Sequence, residues 1–80
     1  MKNIILYFEY IDILAFFSIK YAYYEFDTLY EALNKPIGLC SGIIYIWAND
    51  KWNEHNTRGL LPKSHDNIRR LFNSGRHGVI

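Results

Sequence analysis

Cys40 is the lone cysteine of an 80-residue chain, and that removes two common supports of a domain this small. No internal disulfide can form, and no cysteine-rich zinc site can be built. A chain of this length buries only ~60% of the surface that its unfolded form exposes. Packing, a partner chain or self-association must therefore supply its stability. Aromatic residues suit that need: seven Tyr, five Phe and two Trp bring more buried area per side chain than aliphatics do. An unpaired cysteine also fits a reducing compartment, so the expected location is the cytoplasm, that of a host cell if the chain is phage-encoded.

Charged residues interrupt every long apolar run. Glu9, Asp12 and Lys20 break the N-terminal stretch, and no uncharged run approaches the ~20 residues of a spanning helix, so no membrane partner is expected. Ile, Asn, Lys, Tyr and Phe total 35 residues against 15 for Gly, Ala, Arg and Pro, the amino-acid bias of an AT-rich genome. Net charge is +1, but unevenly spread. Residues 1–50 carry three lysines against six acids, and residues 51–80 carry six basic residues against two acids. Such a dipolar chain presents a basic end to an acidic partner, protein or nucleic acid, unless its two halves attract each other within one fold.

Strand-forming Ile, Tyr and Phe dominate Asn3–Tyr10. In Ala15–Phe26, Phe17, Ile19, Tyr21 and Tyr23 alternate with Ser18, Lys20, Ala22 and Tyr24, the period of a half-buried strand. The link near Ile11–Leu14 has no Gly, Pro or Asn to turn it, and a helix over Ile11–Ala22 competes with the hairpin. Thr28 and Glu31 form a capping box that opens a helix over Leu29–Asn34, which Pro36 stops. Gly38, Ser41 and Gly42 mark a loop before Ile43–Trp47, whose unbroken apolarity indicates a strand buried on both faces. Residues 49–63 turn polar and read as a long irregular connection. Ser64 then caps a helix over His65–Asn73, with Ile68, Leu71 and Phe72 as its buried stripe and Gly75 as its stop. Residues 75–80 read as a tail. The expectation is an α+β chain forming one domain over residues 1–80, with a small antiparallel sheet of about three strands and two short helices.

No catalytic constellation emerges. His55, His65 and His77 are spaced by ten and twelve residues, which matches no short metal-ligand motif, and Glu54-His55-Asn56 lacks an identifiable second metal-binding half. Cys40 has no neighbouring base to activate it, and no Gly-Lys-Ser/Thr follows the glycines around it. The expectations are no enzyme, no metal and no cofactor. The richest constellation lies in the basic half: Trp52, Arg58, Lys63, Arg69, Arg70 and Arg76. Arginine forks match carboxylates and phosphates and tryptophan anchors interfaces, so these six are the candidate binding residues. The plain alternative is a tryptophan closing the core beside a solvated helix face.

The functional expectation is a non-enzymatic protein-binding module that inhibits or regulates a larger protein, acidic or nucleic-acid-handling. Short size and AT-rich bias extend it to a phage or mobile-element anti-defence inhibitor of a host nuclease. Nucleic-acid binding through the basic half is the alternative, though a net charge of +1 is low for a backbone binder. A homodimer is a further open partner.

Overall fold

The structure is a computed structural model that describes residues 2–59 and 62–75. In chain order it contains β1 (Ile4–Asp12), a 3-10 turn (Ile13–Ala15), β2 (Ser18–Phe26), α1 (Leu29–Asn34), β3 (Gly42–Ala48), β4 (Lys51–Arg58) and α2 (Pro62–Asn73). The four strands form one antiparallel sheet in the order β2-β1-β3-β4.

Alternation along the strands divides the apolar side chains between two faces. Ile5, Tyr7, Ile43 and Tyr45 pack with Ile68 and Phe72 of α2, while Ile4, Leu6, Phe8 and Ile44 pack with Ala32 of α1. Helices thus cover opposite faces, and β1 with β3 forms the middle layer, buried on both sides. That explains the unbroken apolar runs in these two strands. Phe72 is the centre of the α2 side: its ring stacks on Tyr45 at 3.8 Å and meets Tyr7 and Trp52 edge-on at 6.3 and 6.1 Å. The Tyr45 hydroxyl is buried without a hydrogen-bond partner among the described residues, and burial, with Glu54 nearby, pushes its phenol up to about 12.

The α1 start makes the Thr28 half of the capping box, and the Glu31 carboxylate reaches back to the Thr28 hydroxyl. The Glu31 amide donates to Thr28 Oγ1 at 3.3 Å, and the Thr28 hydroxyl donates to the Glu31 carboxylate at 2.9 Å. Its other end is closed from a distance. Arg58 Nη1 donates to the Ala32 and Lys35 carbonyls at 3.2 and 2.9 Å, satisfying acceptors that the last helical turn leaves open.

The sheet has four strands where three were expected. The missing strand is β4, which lies within the polar segment read as an irregular connection over residues 49–63. It is an edge strand, so polar residues suit its exposed positions and hide the strand in the composition. Its turn is Asn49-Asp50, both left-handed at φ 56° and 61°, the two-residue geometry that matches the twist of a hairpin. Tyr45 pairs with Glu54 and Ile44 with Asn56, which leaves His55 as the extra residue of a bulge. Three smaller boundaries also move. β2 begins at Ser18 and not Ala15, because residues 13–17 turn the chain. Ile11–Ala22 is not a helix but parts of both strands and that turn. α2 begins at Pro62 and not His65, which places Ser64 inside the helix. Proline suits a first helical position because that position needs no amide donor. Of the expected tail, 76–80 lies outside the described residues, while Gly75 is left-handed at φ 77° as expected of a helix stop.

Gly59, at φ 94°, passes directly over Ser41: a Cβ there would sit 2.5 Å from Ser41 Cα. Backbone strain and overlap act together, so Gly59→Ala is expected to destabilise the fold by roughly 2–4 kcal/mol, measured by denaturant unfolding.

Candidate functional site

β1 pairs with β2 along its whole length, ending at Asp12↔Ser18, but pairs with β3 only as far as Phe8↔Gly42. The far third of the hairpin therefore extends past the sheet as a two-stranded ribbon. Glu9 is hydrogen-bonded to the body of the molecule, and Tyr10 after it packs on the α1-side core. The Glu9 amide donates to the Ser41 carbonyl at 2.8 Å, and its carboxylate accepts from the Ser64 hydroxyl of α2 at 2.8 Å. Burial and then the same carboxylate raise the Tyr21 phenol above its ordinary range.

Beyond Tyr10 the ribbon turns six apolar side chains outward. Ile11, Ile13, Phe17 and Ile19 are each more than half exposed, and Leu14 and Phe16 are 97% and 96% exposed. The turn forms without glycine. Asp12 Oδ1 accepts from the Leu14 amide at 3.1 Å to start the 3-10 turn, and Phe16 and Phe17 close it at φ 57° and 60°. Left-handed backbone costs a non-glycine residue roughly 1–2 kcal/mol. Between Asp12 and Lys20 no side chain is charged.

Beside the ribbon base lies an apolar hollow. A cleft of about 420 Å³ is walled by Ile37–Ser41 with Arg58 and Gly59, and a second of about 270 Å³ by Glu9, Tyr10, Ile11 and Leu39–Ser41. Leu39 is fully exposed at the rim they share, and Cys40 is half-buried in both.

The candidate residues from the basic half take separate positions. Trp52 lies half-buried against Phe72 and 5.2 Å from Trp47. Arg69 makes a two-pronged bridge to Glu54, both contacts 2.9 Å, and reaches Asp66 at 3.2 Å. Arg58 caps α1 on the opposite face of the sheet from α2. Lys63 is exposed in the first turn of α2, and Arg70 is exposed near its end, donating to Asn67 Oδ1 at 3.2 Å. Arg76 lies outside the described residues. Trp52 and Arg69 thus both lie along the β4–α2 seam, through Phe72 and Glu54 respectively, and the Arg58 side chain reaches the other face of the sheet. Among the described residues no three His, Cys, Asp or Glu side chains gather as metal ligands, and no helix is long and apolar enough to cross a membrane.

Sequence reasoning passed over the hairpin end. The available signal was the apolar run Ile13–Phe17, with no Gly, Pro or Asn in it and Asp12 and Ser18 at its ends, which forces large apolar side chains onto a turn. Comparison with family models, with curated proteins and with solved structures returns no match.

The Arg69 guanidinium holds the Glu54 carboxyl below its ordinary value of 4.5. A depressed folded value means that the pair's contribution is full above the unfolded value and is lost as the pH falls through the folded one. Arg69 and Glu54 are 39% and 37% exposed, so solvent screening limits the pair to about 0.5 kcal/mol. Glu54→Gln should therefore unfold slightly earlier than the wild type at pH 6, with the gap closing in strong acid, as read from urea midpoints.

Proposed function

We propose that the chain is a non-enzymatic protein-binding module that inhibits or regulates a larger protein, and that it docks through the end of the β1–β2 hairpin. The observation that carries this reading is the apolar ribbon end. Two almost fully exposed side chains, Leu14 and Phe16, are flanked by four more apolar ones on a projection held firmly at Glu9. Contiguous apolar exposure of this kind marks an interaction surface. Aromatic and aliphatic anchors on a pre-formed projection suit insertion into a pocket, with little ordering cost on binding.

Charge supports a protein partner over an anionic lipid surface. The ribbon carries Asp12, with Glu9 at its base, against Lys20, whereas interfacial segments for anionic lipid are rich in Lys and Arg. The narrower reading is an anti-defence inhibitor of a host nuclease, carried by a phage or mobile element in a host cytoplasm. It rests on the AT-rich amino-acid bias of the sequence.

Affinity capture from lysate of the encoding cells, with and without nuclease, tests the module. The wild type should recover one stoichiometric protein that survives nuclease, and Leu14→Asp with Phe16→Asp should lower recovery at least tenfold, the loss of a ~2 kcal/mol anchor. Recovery that depends on nucleic acid, or that is unchanged in the variant, would overturn it.

A further inference from the structure

We infer that the ribbon end pairs with the same ribbon of a second copy, edge to edge through β1 about a two-fold axis at Ile11. Backbone direction makes the first argument. In a strand, the amide and carbonyl of one residue point to the same side, and those of the next residue to the other. The Glu9 amide bonds to Ser41 on the β3 side, and the Asn3 carbonyl accepts from Trp47 on that side too. Odd-numbered β1 residues therefore address β3, and the Ile11 amide and carbonyl face the same way. β3 has ended by then, its pairing having stopped at Phe8↔Gly42. Ile11 thus presents a donor and an acceptor on an edge that no described strand occupies. Two antiparallel copies centred on Ile11 exchange both bonds in one hydrogen-bonded pair. A two-fold axis normal to the sheet requires such self-pairing and keeps each face continuous.

Side chains fit the same register. Ile11 facing Ile11 sets Tyr10 opposite Asp12 of the second copy, and the pairing stops there, because Ser41 already holds the place opposite Glu9 and the chain turns away at Ile13. No like charges face each other. Lys20 pairs with Tyr10 within its own chain, so it lies on the same face two strands from Asp12 of the second copy. That is about 10 Å between backbones, a gap that a lysine stem and an aspartate close, and symmetry repeats it. The incoming turn meets Leu39–Ser41 at the smaller cleft, so each copy supplies both an apolar projection and an apolar hollow.

Area sets an upper limit. Burying an Ile or Leu side chain removes on the order of 100 Å² from water and a Phe more. Full burial of the six exposed side chains of each copy would give on the order of 1,000 Å² for two copies, about the threshold of a specific interface. Pairing puts the two ribbons at the centre of one sheet of eight strands. Resting on the docking reading above, the dimer would also regulate that function, because a partner must displace the second copy to reach Leu14 and Phe16.

Sedimentation of the full chain across a concentration series tests the pairing. The wild type should reach twice the chain mass with a dissociation constant on the order of 10 μM or tighter. Ile11→Pro removes the paired amide from an edge position where proline is tolerated, and should weaken the dimer at least tenfold with an unchanged far-ultraviolet spectrum. Hydrogen exchange at the Ile11 amide gives an independent reading in the wild type: protection should rise with protein concentration. A wild type that stays monomeric, a larger open assembly, or an Ile11 amide indifferent to concentration would overturn the inference. A monomer that captures its partner removes the dimer alone, and a dimer without a partner removes the docking reading alone.

Discussion

Burial of Ile4–Phe8 on both sides of the sheet is the constraint from which the rest follows. One strand of five apolar residues cannot satisfy both faces with a single covering layer. α2 closes one side through Ile68 and Phe72, and α1 the other through Ala32. With one cysteine and no disulfide, that double cover is how a short chain builds its core. The edges are left to β2 and β4, and the polar composition of β4 follows from its place.

The parts of the fold that were legible are those in which local chemistry and tertiary role agree. Thr28 and Glu31 announce α1, Ile43–Trp47 announces a two-sided strand, and Ile68 and Phe72 announce the buried stripe of α2. β4 was hidden because Lys51–Arg58 is written for solvent, and its hairpin uses Asn-Asp in place of the stronger Asn-Gly signal. Of the site, the basic candidates stood out by residue type, but sequence could not show that Arg58 would cap a helix or that Arg69 would meet Glu54. The hairpin end escaped for the opposite reason. Its residues look like core, and only the end of β3 at Gly42 leaves them outside.

The chain therefore spends apolar residues where folding does not need them. Phe16 and Phe17 hold a strained turn, while the core is complete without them. Strain and exposure at one place are the physical signs of a surface shaped by what it meets.

The most direct test of that account is the thermal unfolding of Phe16→Asn with Phe17→Gly, at protein concentrations low enough for single copies. This change puts an Asn-Gly pair at the two left-handed positions. If the aromatic rings serve docking alone, relief of strain should raise stability by about 1 kcal/mol. A fall of roughly 3 kcal/mol or more, the cost of truncating a core aromatic, would show that the hairpin end belongs to the folding core and would contradict the account.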